Sequence, residues 1–318
     1  MYSPYLYARQ YELLALRALL KEGGDLSKLI PILEPVKTDT GDIRRCMEAF
    51  SKRKQDLIVV VNPSLNEFSK NPARQKKFRE DIDDFISRDM CIMPGLELTS
   101  STSKEILEKF FTKYQNRPLA LLFNNSSLEK KELETYTQHA STRFNITINN
   151  KITTAQSSVI SVKNLIHNND DFNKKSRNAD YSGIEIYTDR HNLVADKAFA
   201  FGDYTVTGKK FELGGGTPGA VAIHAIYKHP KTADIWMEHF ISDETDRGAG
   251  SPESKFLEAA HKLIKQVKSR PAEFGWNSAL AEYEKHVNQN TWSGLGKNKE
   301  YQIIHHISLM LDILNKNL

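Results

Sequence analysis

Four ionisable residues stand where they could act together if the chain folds as alternating strands and helices: Glu34, Glu97, Lys163 and Asp203. Each lies in or just after an apolar run: "KLIPILEPV" (28–36), "MCIMPGLEL" (90–98), "SVISVK" (158–163) and "AFAFGDYT" (198–205). A carboxylate at the end of such a run is costly to bury unless it is paired or used. Carboxylates in a shared pocket could serve as general bases or hold a divalent metal such as Mg²⁺. Opposite charges such as Glu34 and Lys163 could hold each other ionised, and Lys163 could stabilise developing negative charge or act as a Schiff-base amine. These are the candidate catalytic residues.

A wider set of polar groups could bind a ligand: Lys37, Asn62, Asn124, Arg177, Asp180, Tyr204, Gly215 and His224. Asn62 precedes Pro63 and Asn124 precedes Asn125, so each suits a turn as well as a ligand contact. Glu34 and Lys37 could equally face each other across a turn. His224 lies inside "AVAIHAIY" (220–227) rather than at its end, which fits a hydrogen-bonded core histidine as well as a catalytic one. The loop with Gly214, Gly215 and Gly216 could offer backbone N–H groups to a phosphate, or simply be a flexible turn. "SRNADYSGIEIYTDRHN" (176–192) is dense in hydrogen-bonding groups and suits a loop folded over a site. Asp180, Asp189 and His191 have no diagnostic ligand spacing, so no metal site is assigned. There is no GxGxxG, GK[ST], GxSxG or HExxH pattern and no Cys/His nucleophile pair.

The elements that must position these groups follow from hydrophobic period. "KLIPILEPV" reads as a strand, and Ile43, Cys46, Met47 and Phe50 then recur at i, i+3, i+4, i+7 as a helix. The unit repeats with "DLIVVVNP" and Phe78, Ile82, Phe85, Ile86, and with "MCIMPGLEL" and Ile106, Leu107, Phe110, Phe111. "PLALLFNN" (118–125) opens a fourth. Thr102 with Glu105, and Ser126 with Glu129, have capping-box spacing. "RFNITI", "SVISVK", "AFAFGDYT" and "AVAIHAIY" bring the strand candidates to about eight, and continuous apolar runs such as "LIVVV" suit parallel strands covered on both faces. The expected fold is an α/β, (β/α)₈ TIM-barrel-like domain rather than a doubly wound open sheet, with its first four strands parallel and adjacent in order. Residues 1–27 would form an N-terminal helical cap, 28–230 the barrel, and 231–318 C-terminal helices, including the last barrel helix, on the same domain.

The chain has 318 residues, 39% hydrophobic and 26% charged, as an ordinary globular protein has, and two cysteines fit a reducing compartment. The N-terminus lacks signal-peptide order and no apolar run approaches the ~20 residues of a membrane span, so a cytoplasmic protein without membrane contact is expected. A net charge of +4 is too dispersed for tight nucleic-acid binding.

At "MYSPYLYARQYELLALRALL", "IPILEPVK", "RNADY", "FGDY", "AVAIH", "HFISD" and "GLGKNKEYQIIHHISLM", in this order from residue 1 to about 314, the chain resembles an uncharacterised family of bacterial hypothetical proteins that is distantly similar to the phage Beta protein family. The resemblance implies a barrel-like fold and a setting near mobile elements or in phage defence; it transfers no catalytic residue. "FNITINN" and "SVISVKN" stand where more acidic strand ends are expected. Two functions follow: an enzyme acting on a phosphate-bearing small molecule or nucleotide, or a non-catalytic ligand-sensing or protein-interaction module.

Overall fold

The computed structural model describes residues 1–194, 196–213 and 216–318, so Gly215, expected as a phosphate contact, lies outside the described residues. In chain order the first elements are β1 (Tyr5–Leu6), α1 (Gln10–Glu22), β2 (Ile32–Leu33), α2 (Gly41–Arg53), β3 (Leu57–Val60), α3 (Pro72–Arg88), β4 (Ile92–Leu98), α4 (Lys104–Lys113), β5 (Leu119–Phe123) and α5 (Lys130–Thr137). Then come β6 (Thr142–Ile148), α6 (Thr154–Ser157), β7 (Leu165–Asn168), β8 (Ile184–Thr188), β9 (Ala200–Gly202), β10 (Ala222–Lys228), β11 (Ile235–Ile241), α7 (Pro252–Ser269), α8 (Pro271–Phe274), α9 (Ser278–Gln289) and α10 (Leu295–Asn315). The chain divides into two compact units of interleaved segments: Met1–Leu13, Gly24–Asp170 and Arg190–Tyr204 form the first, and Leu14–Gly23, Asp171–Asp189 and Thr205–Leu318 the second. The expected boundaries at residues 27/28 and 230/231 do not coincide with this division.

The first unit is a (β/α)₈ TIM-barrel-like fold. Its strands run in the order β1-β2-β3-β4-β5-β6-β7-β9, each parallel to its neighbours. A parallel bridge between Tyr2 and Phe201 closes the ring, with Ser3 N donating to Phe201 O at 2.8 Å and Tyr5 N to Asp203 O at 2.8 Å. The four strands expected between residues 28 and 125 are parallel and adjacent in order. Every residue of β3, β4 and β5 is buried, as the apolar runs require when helices cover one side and the barrel interior the other. Ile43, Cys46, Met47 and Phe50 of α2 and Phe78, Ile82, Phe85 and Ile86 of α3 form the buried faces read from their spacing.

Three expectations about the barrel are corrected. Its first strand is β1, within the segment read as a cap, where only two residues pair after Pro4 and leave no periodic signal. "SVISVK" is not a strand: residues 162–164 form a 3₁₀ turn, and β7 begins just beyond it at Leu165. "AVAIHAIY" is not the eighth barrel strand but β10, in a separate antiparallel sheet of order β10-β11-β8 in the second unit. A buried apolar run looks the same in either sheet, because burial on both faces erases the alternation that distinguishes them. Two caps also differ. Thr102 Oγ1 accepts from Thr99 N instead of capping α4, and the box at α5 joins Glu129 to Glu132. Ser251 and Pro252 open α7 as expected. In the second unit α7 and α10 pack on β10, and α10 buries Ile303, Ile304, Ile307, Leu309 and Met310. Among the described residues no helix is long and apolar enough to cross a membrane.

Candidate active site

Parallel strands deliver their C-terminal ends to one rim of a barrel. There, β2 presents Glu34, β4 carries Glu97, and the segments after β1, β3, β5, β6 and β9 bring Tyr7, Asn62, Asn124, Asn149 and Tyr204. Glu34 and Glu97 are 1% and 6% exposed. Their strands are separated by β3, so the charge of Glu97 that Glu34 senses acts across the barrel interior. Each carboxyl is held by donors. Tyr5 Oη donates to Glu34 Oε2 at 3.1 Å and Ser64 N to Oε1 at 3.3 Å, while Asn124 Nδ2 donates to Glu97 Oε1 at 2.6 Å. Asn62 clamps the backbone of Glu97, accepting from its N–H and donating to its carbonyl, both at 2.9 Å.

Burial and the neighbouring charge of Glu97 push the Glu34 carboxyl well above the usual range, against the pull of Ser64 N–H and Tyr5. Burial also raises Glu97, opposed by its Asn124 bond and the charge of Lys151. Glu34, the more buried, keeps its proton to higher pH. Such a separation suits an acid and a base sharing one site. Around them three tyrosines cluster: the ring of Tyr204 lies 4.9 Å from Tyr5 and 6.1 Å from Tyr7. Burial raises all three phenols, so they remain protonated donors, and Asn149 Nδ2 donates to Tyr204 Oη at 3.3 Å. Asn125 takes the left-handed turn (φ 61°) after β5, which leaves the amide of Asn124 for Glu97.

The structure gathers Glu34, Glu97, Asn62, Asn124 and Tyr204 but separates two expected partners from them. Lys163 is exposed in the 3₁₀ turn before β7, hence at the N-terminal end of the barrel. It cannot pair with Glu34 at the opposite rim. Asp203 is buried at 1% exposure but does not join the carboxyl pair. Side chains alternate along a strand, and Gly202 abuts Ser3 and Asn168 while Tyr204 meets Tyr5; Phe201 and Asp203 therefore turn to the other face. There Tyr2 Oη donates to Asp203 Oδ1 at 2.7 Å, and the Tyr2 ring packs 5.3 Å from Phe201. Asp203 fastens the closing strand. Lys37 is exposed beside a cleft of about 290 Å³ that Asp39, Asp42 and Glu67 also line.

The remaining expected residues belong to the second unit. Arg177 and Asp180 form an ion pair with each other at 2.6 Å. Among the described residues no group of three or more His, Cys, Asp or Glu could hold a metal ion, so Asp180, Asp189 and His191 do not form such a site. His224 is joined to two residues the sequence did not suggest. His224 Nδ1 lies 2.8 Å from His239 Nδ1, and His239 Nε2 lies 3.1 Å from Glu185 Oε1. Burial lowers both imidazoles, His224 most strongly, so both are neutral. The protonation pattern satisfying both bonds has His239 Nε2–H donating to Glu185 and His224 Nδ1–H donating to His239. His224 Nε2 is then unprotonated, and the His224 ring packs against Tyr181 with ring centroids 4.4 Å apart.

Sequence reading missed Tyr5 and Tyr7, although their i, i+2 spacing in "YSPYLY" matches one face of a strand. It also missed His239 and Glu185, whose link to His224 depends on the pairing of β10 with β11 and of β11 with β8. No family model, no curated protein and no solved structure matches this chain.

Proposed function

We propose that the protein is a cytoplasmic enzyme acting on a phosphate-bearing small molecule or nucleotide, with proton transfer at the barrel rim as its chemistry. One observation carries this reading: two carboxyls on non-adjacent strands, both buried, both raised and each oriented by a fixed donor. Glu34, which holds its proton, is the general acid. Glu97, locked by Asn124 and nearer to solvent, is the general base. Tyr5, whose hydroxyl hydrogen is engaged by Glu34, orients that acid, and Tyr7 and Tyr204 line the site as protonated phenols. A phosphate would sit away from the carboxyls, towards Lys151, whose charge already acts on Glu97. The family resemblance gives this enzyme a setting in phage defence or on mobile elements.

The test is turnover across a panel of phosphorylated metabolites and nucleotides, with and without Mg²⁺. Glu97→Gln should lower kcat by about 10²-fold or more, and Glu34→Gln should remove the alkaline limb of the pH profile. Glu34 has both oxygens occupied and is almost wholly buried, which also fits a structural anchor in a non-catalytic sensing or interaction module. Ligand-induced stabilisation without turnover anywhere in the panel, unchanged in Glu97→Gln, would establish that second reading instead.

A further inference from the structure

The second unit contains a cleft of about 400 Å³ bounded by residues 176–179, 216–220 and the Thr245 and Arg247 region. Behind its wall lies Lys255, 1% exposed, whose Nζ donates to Gly219 O at 2.6 Å and Asp246 O at 2.5 Å. Among the described residues Lys255 forms no ion pair. A buried ammonium without a direct ion-pair partner is costly, and two carbonyl dipoles offset it only in part.

Those two carbonyls determine what their peptide groups present elsewhere. In a trans peptide the C=O and the next N–H point in opposite directions. With Gly219 O and Asp246 O turned to the ammonium, the N–H groups of Ala220 and Arg247 are directed away from it, and both residues line the cleft. Neither N–H has an acceptor among the described residues, although Ala220 is 2% exposed. Buried backbone donors are nearly always paired, so an unpaired one beside a cleft indicates an external acceptor. Two guanidinium groups border the same space. Arg177 has Nε and Nη2 engaged by Asp180, and Arg247 has no ion pair among the described residues.

We propose that this cleft binds the phosphoryl group of a small phosphorylated metabolite. Arg247 would meet two of its oxygens in the bidentate geometry that guanidinium favours, the Ala220 and Arg247 N–H groups a third, and the Lys255 ammonium, held by Gly219 O and Asp246 O, would add positive field behind them. The volume exceeds that of phosphate alone and leaves room for the molecule that carries it. The inference does not rest on the acid–base reading of the barrel. Turnover of Glu97→Gln reports on that chemistry, whereas the readout here is equilibrium binding in the second unit.

The full-length chain is titrated calorimetrically with inorganic phosphate and with adenosine monophosphate, against sodium chloride of matched ionic strength. Saturable binding is expected for both, with an accompanying rise in melting temperature. Arg247→Ala should weaken it by about 10-fold or more, and Arg247→Lys should retain part of the affinity because the charge survives without the planar fork. Tighter binding of the nucleotide than of phosphate, both lost in Arg247→Ala, supports a site for the whole molecule. No saturable binding of either at millimolar concentration, or affinity unchanged in a folded Arg247→Ala, overturns the proposal.

Discussion

Glu34 is the residue at which structure and solution behaviour are most directly linked. Its folded carboxyl is raised above the usual value by burial and by Glu97. Below pH ~4.3 the folded and unfolded states both hold the proton. As pH rises the unfolded chain releases it first, so the folded state binds more protons and stability falls with pH until the folded group ionises. Glu34→Gln removes that loss. The stability difference, variant minus wild type, should therefore grow as the pH rises above about 4.3, at a limiting slope of about 1.4 kcal/mol per pH unit, until the folded carboxyl ionises. Melting curves across that range check it, and parallel curves for the two proteins would mean the buried carboxyl carries no net strain.

At the scale of elements, the closing seam of the barrel is the most exacting feature. A Cβ at Gly202 would lie 1.9 Å from Ser3 O and 2.5 Å from Asn168 Nδ2. The first contact is with backbone of β1's approach segment, which cannot rotate aside. Gly202→Ala should thus part β9 from the N-terminal strand and cost about 3 kcal/mol or more, the upper end for overpacking. The expected readout is a lower urea midpoint with an unchanged slope. A loss below about 1 kcal/mol would show that the seam yields where the packing says it is tight. The same seam explains Asp203. Its bond from Tyr2 joins the second residue of the chain to the end of β9, and the strand parity that sends Tyr204 towards Tyr5 sends Asp203 the other way.

For the whole molecule, the interleaving of segments has a practical consequence. A chain ending at residue 230 keeps all eight barrel strands but loses β11 and every helix from α7 to α10. β11 lies between β10 and β8, so the second sheet would lose both of its pairings. Ile223, Ala225 and Tyr227, each 1–2% exposed, would also lose the helices that cover them. Such a truncation should aggregate, or bind a hydrophobic dye, under conditions where the full chain does neither. A monomeric, dye-silent truncation melting cooperatively would show instead that the barrel does not need these later elements.

Much of this protein was legible from local pattern. The faces of α2 and α3, the four parallel strands β2 to β5, the Ser251 cap and the positions of Glu34, Glu97 and Asn124 at strand ends all follow from periodicity and neighbouring residue types, which act within a few residues. Tertiary structure decided what lies at a distance along the chain. That Tyr2 and Tyr5 belong to the barrel depends on pairing with Leu29 and Ile32 on one side and with the strand around Phe201 on the other, and two paired residues make no pattern of their own. That Lys163 is at the wrong end depends on where β7 begins, and that "AVAIHAIY" leaves the barrel depends on its pairing with β11. Sequence specifies which residues are apolar, polar or ionisable and how they repeat. Which of them meet is set by strand order, register and parity, because those are settled only when every strand has found its neighbour.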